Sequence, residues 1–380
     1  MQKWLMGGLA ASLLGCGPGV STSEFERQLV DANRRIEQLE SRLNSEVART
    51  SREFDRTALL VQRLDVLESK TVALSNEEVE GHPALVITGV NVHLRNGAGA
   101  TSEVNGRGNL VIGYSERPQS SESDIREGSH NLVVGVRHKY PATAYGGAVI
   151  GRDNTISAPF ASVSGGSWNH ASGASASVGG GESNRATGEG ASVAGGYFNT
   201  ASGEHASVVG GEFNSASGPS ASSSGGSSNK VSGESASILG GFLNSASGRF
   251  STISGGSLNE SVGSTSSIAG GNSGRTEGGL ATVLGGSNNV AFGSSSTVSG
   301  GTYNEATGYA ASVLGGTGNL AQGPQATVSG GGGNEASGEY SSISGGASNR
   351  ATGWHSSVSG GQQRVETRNQ RWRGGTFADP

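Results

Sequence analysis

From Ala161 the chain repeats itself every 15 residues as Ala-Ser-Val-Ser-Gly-Gly-x-x-Asn-x-Ala-Ser-Gly-x-x, and fourteen units begin before Gly361, the last one truncated. The fifth and sixth positions are Gly in all fourteen, from Gly165-Gly166 to Gly360-Gly361. The third is Val or Ile except at Ser223, the ninth is Asn except at Gly274, and the thirteenth is Gly from Gly173 to Gly353. A unit this short cannot bury an apolar face alone. It has to stack on its neighbours, so strict phasing of this length predicts a solenoid.

Each position then has a physical task. Val163 and its equivalents alternate with a Ser or Thr at position two, so one faces inward and the other outward on a short strand. Ala171 and its equivalents fill the inner face of a second strand, where only a small side chain fits. Gly165, Gly166 and Gly173 supply positive φ or close backbone approach at two corners of the coil. The side chain of Asn169, repeated once per coil, can hydrogen-bond its neighbours or the turn backbone as a ladder. The fold class predicted is an all-β solenoid, a parallel β-roll or β-helix of 15-residue coils, over residues 161–361. At ~4.8 Å per coil the fourteen units span about 67 Å. One Val and one Ala per coil make a thin core against the entropy of ordering 15 residues. Inter-coil hydrogen bonds, and association of several rolls, are expected to supply the difference. Position four, occupied by Val209, Leu239, Leu284 and Leu314, points away from the core and is the expected contact between protomers.

Upstream, residues 81–160 are expected to form a β-rich transition and N-terminal cap. His82-Pro83 is expected to break a preceding helix, and residues 84–94 alternate in strand fashion. Three apolar segments at 109–113, 131–135 and 148–151 resemble first coils, with the polar stretch 115–128 looping out between them. Residues 362–380, including Trp372 and Phe377, are expected to cap the last coil.

The extreme N-terminus is a basic start, Met1-Gln2-Lys3, followed by an apolar run from Trp4 to Leu14. Such a run is too short to span ~30 Å of hydrocarbon and is the pattern of a secretory signal. Leu13-Leu14-Gly15-Cys16 is similar to the lipobox of bacterial lipoproteins. That resemblance implies a signal peptide over 1–15, cleavage before Cys16, an acylated Cys16, and a linker over 16–22. Gly17 in place of Asp implies sorting to the outer membrane of the bacterial envelope. An ordinary signal peptide with a stray Cys is the alternative.

Residues 23–76 are expected to form an α-helical coiled-coil stalk. Phe25, Leu29, Ala32, Ile36, Leu39 and Leu43 recur at alternating steps of four and three, and the seam resumes at Leu60, Leu64, Leu67 and Leu74 after a stutter near Glu46 and Glu53. Arg35 to Glu40 and Arg63 to Glu68 both resemble the trimerisation motif of short parallel coiled coils, Arg, apolar, two of any kind, apolar, Glu. In this register the Arg and Glu residues flank the core, where a guanidinium can pair with a neighbouring helix. A homotrimer is the expected assembly.

Composition removes several functions. The net charge is -5 with 26 Lys and Arg scattered along the chain, which gives no electrostatic footprint for nucleic acid. A single Cys excludes an intrachain disulfide framework. Calcium-binding rolls need Asp oxygens in each turn, and no Asp occurs between Asp153 and Asp379. The seven His residues fall at different phases, so no stacked metal ladder is expected, and no catalytic constellation or cofactor motif stands out.

The repeat resembles the head of YadA-like trimeric autotransporter adhesins, over about residues 105–361. That resemblance implies a left-handed parallel β-roll on a trimeric stalk and an adhesive role. The unit here is 15 residues with a double Gly, and the membrane β-barrel of that family has no counterpart, so the N-terminal lipid would serve as anchor. The expected function is a lipid-anchored envelope fibre, an adhesin or surface structural protein. A polysaccharide-active right-handed β-helix enzyme, and an ice- or glycan-binding solenoid using the Ser/Thr row, are the alternatives. Trp168, Phe198, Phe213, Tyr303 and Trp354 are the candidate surface contacts toward a glycan or other surface ligand. They could instead pack between protomers.

Overall fold

Residues 22–71 contain neither Gly nor Pro and form one helix, α1 (Thr22–Thr71). This computed structural model describes residues 21–117 and 125–374. Ser21 precedes the helix in an extended conformation and its carbonyl accepts the N–H of Glu24 and Phe25 at 2.9 and 3.1 Å. Glu24 in the first turn and Lys70 in the last complement the helix dipole. No residue of α1 is buried. The helix ends earlier than its heptads predict. Leu74, expected on the helical seam, opens strand β1 (Leu74–Val79), which pairs antiparallel with β2 (His82–Ile87). Glu80 and Gly81 join them with φ of 51 and 80°, the two positive angles of a two-residue hairpin turn. His82 and Pro83 therefore start a strand rather than break a helix. The described residues fall into two compact units that divide between Val92 and His93.

In the second unit β3 (Leu110–Ile112), β4 (Leu132–Val136) and β5 (Ala148–Arg152) pair in parallel, and they are the first rungs of an all-parallel solenoid of about 16 turns. From Ser162-Val163 onward every strand is two residues long and pairs with the strand 15 residues on, Val163 with Val178 and Val178 with Val193. This first ladder runs to Trp372-Arg373. A second, of 15 strands, runs from Thr155-Ile156 to Val365-Glu366 through Ala171, Ala186 and Ala201. A third ladder follows position seven as single bridges, Ser167 to Glu182 to Tyr197 and on to Gln362.

The core is a stack of Val or Ile from the first ladder against Ala from positions one and eleven, nearly all at zero exposure. Two strands and two corners were expected per coil. The structure has three ladders, with positive φ at three positions, six, eight and fifteen, as in Gly166 (73°), Trp168 (60°) and Ser175 (55°). The two Gly of the pair differ. A Cβ on Gly166 would collide with the Gly181 carbonyl oxygen, whereas Gly165 has an ordinary φ and meets only the Gly179 oxygen, at 3.8 Å. The turn role expected of Gly165 thus falls to Gly166 alone. Nothing in the structure explains why position five is always Gly. Gly173 has an ordinary φ as well, but a Cβ there would strike the backbone of Gly188, so its task is close approach.

The Asn ladder is built from backbone partners. Asn169 Nδ2 donates to the carbonyls of Gly165 and Gly181 at 3.1 and 2.9 Å, and its Oδ1 accepts the Asn184 N–H at 2.9 Å. Each buried amide thereby satisfies polar groups in its own coil and in the next, which a buried backbone requires. Residues 362–373 continue the stack with charge at the core positions. Glu366 and Arg373 stand where other coils carry Ala and Val, 3.9 Å apart, and Glu366 also accepts the Arg368 N–H at 3.0 Å. Phe377, expected in this cap, lies outside the described residues.

Candidate functional site

Position eight sits at the corner between the third ladder and the second, and its residue is held in the left-handed region in every coil from Trp168 to Gln363. Such a backbone favours Gly or Asn, and Asn288, Gly318 and Gly333 conform. Trp168, Phe198, Phe213, Leu243, Leu258 and Tyr303 do not, with φ between 52 and 60°. All six are also exposed. These side chains carry a conformational cost of ~1–2 kcal/mol each and gain little burial in return.

Four of the five aromatic residues expected on the surface, Trp168, Phe198, Phe213 and Tyr303, share this corner. Trp354 is at position fourteen, on the corner between the second ladder and the first. Only Phe198 and Phe213 are brought into contact, with ring centroids 5.6 Å apart and planes 18° from parallel. Tyr197, in the neighbouring column, stands nearly perpendicular to both, at 4.5 Å from Phe198 and 5.6 Å from Phe213. Trp168 lies two coils earlier and Tyr303 six coils later. Trp354 belongs to a separate group, edge-on to His355 at 4.2 Å, which in turn stacks on Tyr340 at 4.6 Å. Leu243 and Leu258, absent from the sequence expectation, extend the first corner. Their signal was an apolar residue in a column otherwise rich in Ser.

Charge is sorted by column. Positions one to six carry no Asp, Glu, Lys or Arg in any of the fourteen units. Positions seven and eight carry only Glu182 and Glu212, and no cation at all. Ion pairs join successive coils elsewhere, Arg249 to Glu234 at 3.0 Å, Arg275 to Glu260 at 3.5 Å and Arg350 to Glu335 at 2.6 Å. On the uncharged face Val209, Leu239, Leu284 and Leu314 protrude, each more than half exposed. Among the described residues no group of three or more His, Cys, Asp and Glu is placed to hold a metal ion.

In α1 the trimerisation residues are on the surface. Arg35 reaches Asp31 at 3.7 Å along the helix, while Glu40, Arg63 and Glu68 form no ion pair among the described residues. No described helix is long and apolar enough to cross a membrane. Cys16 and the signal segment lie outside the described residues.

Comparison with protein-family models and with curated proteins finds no match. The chain is thus a parallel β-solenoid preceded by one long helix, and its role has to be argued from its surfaces.

Proposed function

We propose that the chain is a lipid-anchored, homotrimeric fibre of the bacterial outer membrane whose solenoid head acts as an adhesin. The observation that carries this reading is α1. Its 50 residues expose an apolar seam, interrupted by the stutter near Glu46 and Glu53, with Leu29, Ile36, Leu39, Leu43, Leu60, Leu64 and Leu67 among its members, and bury none of it. A helix of that kind is stable when partner helices cover the seam, and helices sharing one anchor and one register supply them. Arg35, Glu40, Arg63 and Glu68 flank the seam at the positions where interhelical ion pairs select three strands. The lipobox at Leu13 to Cys16 supports anchoring, with several acyl chains on one residue giving stable attachment. The kinship with YadA-like heads belongs to this same proposal.

The adhesive role is supported by the solenoid surface, which carries exposed rings at left-handed positions. Sedimentation equilibrium of the chain from residue 16 onward, with Cys16→Ser to remove the lipid site, is the test. A mass three times that of the chain is expected, and a monomer at micromolar concentration overturns the trimer. Protease treatment of whole cells then checks the location of the head, which is expected to be cleaved.

A further inference from the structure

We propose that the corner formed by Trp168, Glu182, Tyr197, Phe198, Glu212 and Phe213 is a binding surface for an uncharged polysaccharide, a deepening of the adhesive reading on which it rests. Three independent features of this corner point the same way. The first is the choice of side chain. Position eight is left-handed in every coil, Ser183 and Ser228 included, and Phe198 and Phe213 keep large, exposed rings there at φ of 52 and 56°. Large rings kept at such a position without burial are expected at a contact surface. The second is geometry. Tyr197, Phe198 and Phe213 form one continuous ring cluster on two successive coils, and all three residues are exposed. An apolar face with a polar handle fits a pyranose, which offers C–H groups on its flat side and hydroxyls at its rim.

The third is charge. Glu182 and Glu212 occupy the same column as Tyr197, one coil on either side of it, and are bridged to it by the third ladder. Arg152, bridged to Ser167, starts the third ladder, but from Ser167 onward the two columns hold no Lys or Arg, and the two carboxylates there repel nucleic acid, sulfated or uronic polymers and anionic lipid, while their oxygens accept hydrogen bonds from sugar hydroxyls. They also disfavour a parallel second copy here, since identical carboxylates would meet at identical heights. The uncharged face bearing Leu239 and Leu284 suits that role better.

The experiment is co-sedimentation of the full chain, with Cys16→Ser, with insoluble cellulose and chitin, against heparin-agarose, phosphatidylglycerol vesicles and a basic peptide resin. Binding to an uncharged polysaccharide that changes less than twofold between 50 and 500 mM salt is expected, about the behaviour of a contact without ion pairing. The double variant Phe198→Ser, Phe213→Ser places in both coils the residue that Ser183 and Ser228 already show to fit. It is expected to weaken binding at least tenfold with an unchanged circular dichroism spectrum. Phe250→Ser, on the other corner, is expected to bind as the parent does. Retention only on heparin, vesicles or the basic resin overturns the proposal, as do full binding by the double variant and absence of binding to either polysaccharide. Because the sedimentation mass is read separately, a trimer that binds no polysaccharide rejects this surface and keeps the fibre. A monomer that binds does the reverse.

Discussion

The Asn259 Oδ1 accepts the Gly274 N–H at 2.8 Å, and there the amide ladder stops. Gly274 has no side chain to donate to the carbonyls of Gly270 and Gly286 or to receive the Asn289 N–H, the bonds every neighbouring Asn makes. The same coils replace apolar core residues with a buried hydroxyl cluster. Ser261 Oγ lies 2.7 Å from Ser266 Oγ and 3.0 Å from Thr276 Oγ1, and all three residues are fully enclosed.

Gly274→Asn is therefore expected to stabilise the solenoid by about 1 kcal/mol, the net worth of a hydrogen bond or two. A Cβ at this position comes within 3.0 Å of Asn259 Oδ1 and 3.3 Å of Val283, so these neighbours must give by a few tenths of an ångström to restore the Asn that twelve other units carry. Urea unfolding checks it, and a lower midpoint would mean that the hydroxyl cluster has reshaped the coil.

Asn214→Ala should show the converse. It removes two donations, to Gly210 and Gly226 at 2.9 Å each, and the acceptor for the Asn229 N–H at 3.0 Å. Stranding these buried backbone groups is expected to cost about 3 kcal/mol, read from the same urea midpoint.

The glycines separate into two classes. Gly218→Ala drives a Cβ into the backbone of Gly233 and Ser232 and is expected to cost more than about 2 kcal/mol or to prevent folding. Gly210→Ala meets nothing within 4 Å at an ordinary φ, so it is expected to be neutral or to stabilise by about 0.5 kcal/mol through the unfolded chain. Parallel thermal melts of the two variants check this contrast.

Leu258→Asn relieves a branched apolar residue from φ of 57° at an exposed position, and Asn288 holds the same place two coils on. A gain of about 1 kcal/mol is expected by thermal or urea unfolding. A loss would show that Leu258 is packed in the assembled protein.

His138 is buried, its Nε2 within 2.9 Å of the Val134 carbonyl, and burial pulls its pKa below the ordinary value of 6.5. The unfolded chain thus binds the proton more readily than the folded one. Stability that is complete above about pH 6.5 is lost as the pH falls through that value toward the lower folded pKa, where the loss levels off. His138→Gln is expected to flatten this part of the profile, measured as urea midpoint against pH.

Much of the solenoid was legible because its rules are local and repeated. Val163 against Ser162 announces which side is inward, and Asn169 at a Gly-bounded corner announces an amide ladder. The third ladder was hidden because its residues, Ser167, Glu182 and Tyr197, bridge through backbone alone and leave no side-chain preference. The left-handed backbone at Trp168 and Phe198 was hidden for a related reason, since a large ring is the residue least suggestive of positive φ. Leu74 misled because it kept the heptad phase beyond the last helical turn. The aromatic surface was half legible. Composition named the rings, but only the fold shows that Tyr197, Phe198 and Phe213 meet while Trp354 is on another corner.

The fifteen-residue offset between paired residues has a consequence for variation in this molecule. Removing one whole unit leaves each remaining rung seated on an equivalent rung, so the rod shortens by a fixed step of ~4.8 Å with its seams intact. Removing a single residue instead changes the offset only in the coil that loses it, as the 16- and 14-residue steps from Val133 to Val149 and on to Val163 show, and leaves the number of rungs unchanged. Length in this architecture is quantised, and the molecule can serve as a ruler cut only at whole divisions.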